Sequence, residues 1–518
     1  MDERMQSALA LLPDYLSRHV LLSGSAIVLG AALGLPLGLW LVRHPRWRWP
    51  ALAAASFVQT IPGLALLALF YPLLLALSLF SDKLFGFHLP ALGFLPSLLA
   101  LTLYSMLPIL RNAVAGLTGL DPAVMEAASA VGMTDGQRLL RVEMPLAAPV
   151  VMAGIRTAAV WTIGAATLST SVGQTSLGNY IFTGLQTENW VFVLFGCATA
   201  AVFAFGVDQL LGLIEAGAAR RDRVRILIGV LLMGTGLAAA LTPLFAGGPR
   251  TYVVGAKNFS EQFILAELIS DQLRRVGATS ERKDGLGSAV AFRALAASDI
   301  DVYVDYSGTL WTNVLERNDT PESAAMLKEL TSELSMRFGV TLLGALGFEN
   351  AYALAMRRDR AAALGVHSIA DLAQHAGDLT FGTDLEFLSR PEWTALKNAY
   401  GLAFKAQRSY TPTFMYRALE AGDVDVITAF SSDGRIAAQG LEVLTDPKHA
   451  IPAYDAVVLI APRRAQDELL RRALTPLIGK IAVGSMREAN FMVDRDTDKA
   501  SPGQAAQFLA RAVGLSAQ

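Results

Sequence analysis

Residues 251–262 read TYVVGAKNFSEQ, and the character of the chain changes at this stretch. Thr251–Ala256 is a short run of the β type. Ser260 and the acidic Glu261 suit a helix start, and apolar residues then recur at helical spacing as far as Leu273. The stretch therefore predicts a strand followed by a helix, which opens a soluble α/β domain.

Charged residues are distributed unevenly on the two sides of this point. Of the 518 residues, 53% are hydrophobic and 17% are charged, whereas an average soluble domain has about 25% charged residues. Residues 1–250 hold 27 charged side chains (15 basic, 12 acidic) and residues 251–518 hold 61 (28 basic, 33 acidic). The first half predicts a membrane region and the second a soluble globule, which excludes a fully soluble enzyme, a disordered chain and a small disulfide scaffold. The net charge of −2 gives no case for nucleic-acid binding.

Six segments are long and apolar enough to cross a bilayer, which requires about 20 residues. They are approximately 20–42, 51–80, 91–110, 146–172, 190–214 and 226–246. The second contains Pro62 and Pro72, and we expect one kinked or tilted helix there because no polar turn divides it. Acidic residues precede the first apolar run, which is too long for a cleavable signal, so we expect the N-terminus to remain as a membrane anchor.

Basic residues in alternate loops indicate the orientation. The loops after the odd-numbered spans carry Arg43, Arg46, Arg48, Arg111, Arg138, Arg141, Arg220, Arg221, Arg223 and Arg225. The other loops carry only Lys83. The odd-numbered spans are therefore expected to exit into the cytoplasm, and residues 251–518 to face the periplasm or the exterior of a bacterial inner (plasma) membrane.

The long loop between the third and fourth spans has a recognisable order of elements. A small-residue helix around Glu126 is followed by Gly132, by a second short helix, and by Pro145 and Pro149 at the entry of a span. A short amphipathic helix between spans would explain the first part alone. The whole pattern, residues 121–154, resembles the EAA coupling loop of ABC importer permeases.

In that family, the loop docks into a groove of a separate cytoplasmic ATPase. The resemblance implies that Ala127 and Ala128 allow close approach, that Glu126 provides a charged contact and that Gly132 ends the helix. The chain has no phosphate-binding loop of the form G-x-x-x-x-G-K-[S/T]. We therefore expect a transport subunit rather than an enzyme, with ATP hydrolysis on a separate polypeptide and a second copy of this chain completing the family's two-permease arrangement.

The soluble half alternates short strands with helices. The other predicted strands are 301–305, 350–356, 379–383, 424–430 and 456–461. This alternation predicts an α/β fold with ligand sites at strand ends, and 268 residues exceed one comfortable core, so two lobes are expected.

Five motifs in this half, in order, resemble those of osmoprotectant-binding proteins, whose solutes are glycine betaine, carnitine and choline. They are GAKNFSEQ (255–262), DVYVDYSGT (301–309), the pattern from Phe381 to Arg390, AFSSDGRI (429–436) and PAY (452–454). The whole chain thus resembles an all-α transmembrane permease of about six helices followed by a two-lobe periplasmic-binding-protein-like domain.

The resemblance also implies the domain limits. The permease would cover 1–225, the sixth membrane helix and linker 226–250, and the binding domain 251–518. By analogy with the family's double crossover, near 353–357 and 455–460, lobe 1 would comprise 251–354 and 458–518, and lobe 2 would comprise 355–457.

A trimethylammonium group cannot donate a hydrogen bond and is best held by the faces of aromatic rings. By motif match, the aromatic cage would be Tyr306, Tyr352, Phe430 and Tyr454. A carboxylate at the other end of the solute requires basic groups and hydroxyls, and the clamp would be Lys257, Arg390 and Thr309. Each of these side chains also has an ordinary interpretation, as core packing for the rings and as solvated surface for the cations.

Some positions depart from the family pattern. Ser432 stands where the family more often has threonine, residues 304–307 read VDYS rather than Pro-Glu-Tyr-Thr, and Phe430 offers no hydroxyl. The solute is therefore left open among glycine betaine, carnitine, choline and a related trimethylated zwitterion such as ergothioneine. A choline-like solute would not need the clamp.

Other kinds of site are not indicated. The six histidines (His19, His44, His88, His367, His375 and His449) show no metal-binding spacing, the single Cys197 excludes an intrachain disulfide, and no cofactor is expected. A ligand-gated channel or sensor is an alternative of another class, although it leaves the 121–154 pattern without a role. A membrane-anchored enzyme is a third, and it lacks a catalytic constellation.

Overall fold

A computed structural model describes residues 3–85, 89–187, 189–220, 222–245, 251–317, 319–495 and 497–515. His88, Arg221 and the junction at 246–250, all used in the sequence argument, lie outside these described residues. The chain divides into two compact units. The first is formed by Met1–Phe182 with Val191–Gly247, and the second by Thr183–Trp190 with Gly248–Gln518.

The first unit is built from helices. They are α1 (Glu3–Arg43), α2 (Pro45–Thr60), α3 (Gly63–Phe85), α4 (Phe94–Thr118), α5 (Pro122–Ala130), α6 (Asp135–Arg138), α7 (Met144–Ala166), α8 (Gly178–Gln186), α9 (Trp190–Arg220) and α10 (Arg223–Phe245). The last residues of α8 and the first residue of α9 belong to the second unit. A π-helical turn, Leu139–Glu143, joins α6 to α7, and a 3-10 turn, Thr167–Val172, follows α7.

Five helical segments in the described residues are long and apolar enough to span a membrane: Met5–Arg43, Phe94–Thr118, Asp135–Val172, Trp190–Arg220 and Arg223–Thr242. The pair α2 and α3 would be a sixth, but the two helices meet at a bend of 99°. The segment 51–80, expected to be one kinked or tilted helix, is therefore divided between two helices, which together could form the sixth span. Ile61 adopts an extended conformation (φ −70°, ψ 125°) because it precedes Pro62, and this ends the first helix.

Small residues allow α1 to pack closely against α4. Gly30, Gly34 and Gly38 recur every four residues on α1, and a Cβ atom added at Gly38 would lie 2.9 Å from the Cβ of Ala113. A Cβ at Gly34 would lie 3.3 Å from the side chain of Ile109. Inside lipid there is no hydrophobic driving force between helices. Small residues allow the close van der Waals packing that stabilises helix pairs there.

One charged cluster lies between two of the apolar helices. Arg156 of α7 donates from Nε and Nη2 to both carboxylate oxygens of Asp208 (3.0 and 2.8 Å) and from Nη1 to Glu215 (2.7 Å), both on α9. Gly212 leaves room for the guanidinium, because a Cβ there would lie 3.1 Å from its Cζ. Isolated charges in a membrane span are costly, and this arginine is neutralised within its own unit.

The second unit contains two five-stranded mixed sheets. The strands are β1 (Thr251–Lys257), β2 (Thr279–Leu286), β3 (Val302–Tyr306), β4 (Thr341–Glu349), β5 (Tyr352–Arg357), β6 (Thr380–Thr383), β7 (Ala406–Ser409), β8 (Val426–Phe430), β9 (Leu441–Val443) and β10 (Asp455–Ile460). The first sheet has the order β2-β1-β3-β10-β4 and the second β7-β6-β8-β5-β9. In each sheet, the first three strands of this order are parallel to one another, and the fourth strand is antiparallel to both of its neighbours.

Helices cover these sheets. They are α11 (Ser260–Arg275), α12 (Ser288–Ala296), α13 (Ser307–Thr309), α14 (Ser323–Phe338), α15 (Arg358–Leu364), α16 (Ile369–His375), α17 (Leu385–Ser389), α18 (Pro391–Tyr400), α19 (Pro412–Ala421), α20 (Arg435–Ala438), α21 (Glu468–Leu474), α22 (Val483–Asp494) and α23 (Pro502–Ala512). The core of the first sheet takes apolar side chains from α11 and from the C-terminal helices α21, α22 and α23. The C-terminal segment thus completes the lobe that the N-terminal segment begins.

The chain crosses between the two sheets twice. All of β5 belongs to the second sheet and all of β10 to the first, so the crossings are residues 350–351 and 444–454. The predicted crossings near 353–357 and 455–460, and the lobe limits 251–354, 355–457 and 458–518, are therefore a few residues too far along the chain. Lobe 1 contains the first sheet and lobe 2 the second.

The α1–α4 contact can be tested by enlarging one glycine. Gly38→Leu should lower the thermal stability of the purified chain in detergent, because overpacking of a tight contact costs about 1–3 kcal/mol. Gly24→Leu on the same helix is the control, since a Cβ there meets no atom within 4 Å. Equal melting temperatures for the two variants would contradict this packing.

Candidate functional site

A cavity of about 60 Å³ lies between the two lobes. It is lined by Lys257, Asn258, Phe259, Ser288, Tyr306, Thr309, Asn350, Tyr352, Asp384, Glu386, Arg390, Phe430 and Tyr454. All seven side chains that the sequence singled out as solute-binding are among them. Their functional roles remain predictions, but the fold brings them to one place.

Strand ends explain this convergence. Lys257 ends β1, Tyr306 ends β3 and Phe430 ends β8, while Tyr352 begins β5 and Tyr454 directly precedes β10. In an α/β sheet, the carboxyl ends of neighbouring parallel strands meet at one edge, and loops and helix starts there surround a ligand crevice. The two lobes present these edges to the same cavity.

Five aromatic rings follow one another around the cavity. The centroid of the Tyr352 ring lies 5.1 Å from that of Phe430 and 5.7 Å from that of Tyr454. Phe259 extends the series, with its ring centroid 6.3 Å from that of Phe430 and 6.2 Å from that of Tyr306. Phe259 lies within the first of the five motifs but was not predicted as a cavity residue; its position two residues after Lys257, which ends β1, was the available signal.

The two predicted clamp cations are already paired with carboxylates of the chain. Buried Lys257 forms a close ion pair with buried Asp305, and its Nζ lies 5.2 Å from the centroid of the Tyr306 ring. Arg390 donates from Nη1 to Glu386 (2.7 Å) and lies 3.4 Å from Glu392 through Nε. Asp305, Glu386 and Glu392 were not predicted from the sequence as site residues.

Several of these bonds run from one lobe to the other. Nη2 of Arg390 in lobe 2 donates to Oγ1 of Thr309 in lobe 1 at 2.9 Å. Oε1 of Glu392 accepts from the hydroxyl of Thr312 in lobe 1 (3.1 Å) and from that of Tyr454 at the end of the second crossing. Ser288 donates across the same gap to Glu386 at 2.8 Å. The structure is therefore that of a closed cleft.

A buried carboxylate lies behind the cavity wall. Glu261, at the start of α11, accepts hydrogen bonds from the hydroxyl of Tyr306 (2.6 Å) and from the side-chain amides of Asn350 (3.0 Å) and Asn490 (2.8 Å). Burial raises the pKa of Glu261 above its ordinary value, while these hydrogen bonds oppose the rise. The network fixes the position of the Tyr306 ring from behind.

The 121–154 segment of the first unit forms two short helices with a turn between them. Asp121 caps α5, Gly132 adopts the positive φ of +79° that ends it, and Thr134 begins α6 with a capping box. Glu126, Ala127 and Gly132 are exposed, whereas Ala128 is buried.

Apolar side chains near this turn are also open to solvent. Val131 is 73% exposed and Leu140 is 72% exposed. Arg138 stabilises the turn through Glu143 (2.8 Å) and Ser129 (3.4 Å), contacts that the sequence did not indicate. The described residues contain no group of three or more His, Cys, Asp or Glu side chains that could hold a metal ion.

Two family models match the chain. Residues 250–511 match the substrate-binding domain of an ABC-type glycine betaine transport system, and residues 26–220 match a binding-protein-dependent transport system inner-membrane component.

Some relatives match only the permease half of the chain, and one of those compared matches nearly all of it. The ergothioneine transport permease/ergothioneine binding protein EgtU of Helicobacter pylori (strain G27) is 28% identical over 500 residues, which is 93% of this chain and 87% of that protein. The choline transport system permease protein OpuBB of Bacillus subtilis (strain 168) is 36% identical over 197 residues, 38% of this chain and 83% of the permease. A crystal structure of a glycine betaine/carnitine/choline ABC transporter covers 50% of this chain and 97% of its own, with 26% identity and a TM-score of 0.44.

The buried charges at the cleft should matter for stability. Glu392→Ala should lower the free energy of unfolding of the binding unit by about 1–3 kcal/mol, because it leaves buried donors that face Glu392 without an acceptor, while Arg390 keeps its bond to Glu386. The matched control is Glu329→Ala, which removes an exposed partner of Arg317 and should cost at most about 1 kcal/mol. Thermal unfolding of the purified chain measures both, and similar losses would contradict a special role for the buried pair.

Proposed function

This chain belongs to the family of substrate-binding domains of ABC-type glycine betaine transport systems, fused to a transport permease, and we propose that its solute carries a trimethylammonium group. It is the permease and binding subunit of an ABC importer, a multi-pass protein of the inner membrane. The observation that carries the proposal is the cavity between the lobes, which five aromatic rings line.

The charge around the cavity supports a cationic group in the solute. Lys257 and Arg390 line it together with Asp384 and Glu386, and two more carboxylates, Asp305 and Glu392, are bonded to the two cations. When ionised, four carboxylates thus surround two basic groups. A permanent cation that can neither donate a proton nor form a hydrogen bond is stabilised by this negative balance and by ring faces.

The proposed clamp also remains usable by a solute carboxylate. Arg390 has five N–H donors, and its contacts with Glu386, Glu392 and Thr309 account for three of them. Lys257 has three, one of which points to Asp305. A zwitterion can therefore place its carboxylate between these cations and its trimethylammonium group among the rings.

The relatives suggest two sets of solutes. The permease half is similar to permeases named for choline, carnitine and glycine betaine, whereas the relative that spans both halves is named for ergothioneine. All four compounds carry a trimethylammonium group. A channel or sensor is not proposed, because residues 26–220 match a transport permease.

The proposed assembly includes a cytoplasmic ATPase and a second copy of this chain. The exposed Glu126 and Ala127, with the nearby apolar Val131 and Leu140, provide a docking surface for the ATPase. The arginine pattern predicts that this segment is cytoplasmic and that residues 251–518 lie outside. A solute would be captured outside by lobe closure and released through the permease.

The aromatic cage predicts an effect of one ring on affinity. Phe430→Leu should weaken solute binding by about 1–2 kcal/mol, or about five- to thirtyfold, since a leucine has no negative ring face. Isothermal titration of the full-length chain with glycine betaine, carnitine, choline and ergothioneine measures the loss. Phe414→Leu, at an exposed ring outside the cavity, is the control. Binding of none of the four solutes by the wild-type chain would refute the proposed function.

The coupling segment predicts a separation of transport from binding. Glu126→Lys should reduce solute uptake by cells at least about tenfold, because it reverses the charge offered to the ATPase, while solute binding by the purified chain is retained. Asp378→Lys is the same charge reversal at an exposed position of the binding unit and should leave uptake unchanged. Normal uptake by the Glu126 variant would remove this residue from the ATPase contact.

A further inference from the structure

Two side chains on the cavity wall have a buried oxygen atom without a hydrogen-bond partner. They are Oδ2 of Asp384 and Oδ1 of Asn350, which are the only such atoms among the cavity-lining residues in the described part of the chain. Asp384 is 8% exposed and Asn350 is 6% exposed. Glu392 also has an unpartnered oxygen, but it does not line the cavity.

Neither side chain is free to turn towards another donor. Oδ1 of Asp384 accepts from the backbone N–H of Phe387 at 2.8 Å and so caps α17. The side-chain amide of Asn350 donates to Glu261 at 3.0 Å, which identifies its other atom as the carbonyl oxygen. One hydrogen bond therefore fixes each side chain, and one acceptor oxygen of each remains without a donor.

A buried acceptor without a donor loses its hydrogen bonds to water and gains none in return, and this loss is larger for a charged group. Native proteins contain few such groups, and those at a cavity wall are places where a bound molecule supplies the missing donor. Burial also raises the pKa of Asp384 above its ordinary value, which is the response of a carboxyl that lacks donors.

Building on the proposed function, we infer that the solute carries two hydrogen-bond donors, received by Asp384 and Asn350, in addition to its trimethylammonium group. The number of donors separates the solute classes. Glycine betaine has none, and carnitine and choline have a single hydroxyl. A trimethylated amino acid with a ring that bears two N–H groups, such as an imidazole-2-thione, has one donor for each acceptor.

Specificity then resides at Asp384 and Asn350 rather than at the rings. The rings and the clamp contact features that the trimethylated zwitterions share, so they cannot distinguish among them. A site with an acceptor in place rejects an analogue that lacks the donor, because the acceptor remains desolvated and unpaired.

Titration of the full-length chain with ergothioneine, carnitine and glycine betaine tests this inference. Ergothioneine, with two ring N–H groups, should bind most tightly and glycine betaine most weakly, with carnitine between them. Asp384→Asn should reduce the ratio of ergothioneine to glycine betaine affinity about ten- to hundredfold, since it replaces a charged acceptor. Asparagine still caps a helix, and Asp384→Ser provides a second capping variant that also removes the acceptor.

The outcomes separate the two proposals. The donor inference would be overturned if glycine betaine bound as tightly as ergothioneine and if the ratio of the two affinities were unchanged in both Asp384 variants. The proposed function would then still stand. Failure of all three solutes to bind would overturn the proposed function itself. Asp359→Asn, at an exposed carboxylate outside the cavity, should leave the ratio as in the wild-type chain.

Discussion

The guanidinium of Arg390 is buried between the two lobes and is bonded to both, and the closed cleft depends on this one charge. Burial of an isolated charge costs several kcal/mol unless the charge is paired and hydrogen-bonded. Glu392 pairs with it and accepts hydrogen bonds from Thr312 of the other lobe and from Tyr454 at the end of the second crossing. Because Thr309 is also in lobe 1, the full set of partners exists only when the lobes are together.

The seven solute-binding candidates could be named from the sequence because they fall in motifs that resemble those of a known family. Five of them lie at strand ends, which converge at one edge of each sheet. Their partners could not be predicted in the same way. The ion pair of Lys257 with Asp305 joins two strands that are 48 residues apart in sequence, and the bond of Arg390 to Thr309 joins the two lobes. Such pairs depend on strand order and lobe closure, which no local pattern encodes. Phe259 was overlooked for a simpler reason, since an aromatic residue before a helix usually packs in the core.

The fold shows the same division between local and non-local information. The strands found from the sequence in the soluble half, including β1, β3, β5, β6, β8 and β10, are the inner strands of the two sheets. The strands that were missed, β2, β4, β7 and β9, are all edge strands. β2 contains four consecutive charged residues and β7 is exposed throughout, so neither has the apolar run of a strand buried on both faces. The 99° bend between α2 and α3 was missed because Pro62 was taken to bend a helix that it in fact ends.

The two crossings place residues of the cavity wall at or beside the connections between the lobes. Asn350 is in the first crossing, Tyr352 directly follows it, and Tyr454 ends the second. The apparent dissociation constant of a two-state protein is the intrinsic constant divided by the fraction of molecules in the binding-competent state. A substitution at these positions changes both the fraction of binding-competent molecules and the intrinsic dissociation constant. The affinity measured for one solute depends on both and cannot separate them. The fraction of binding-competent molecules cancels in the ratio of the affinities for two solutes, so this ratio depends only on the two intrinsic dissociation constants.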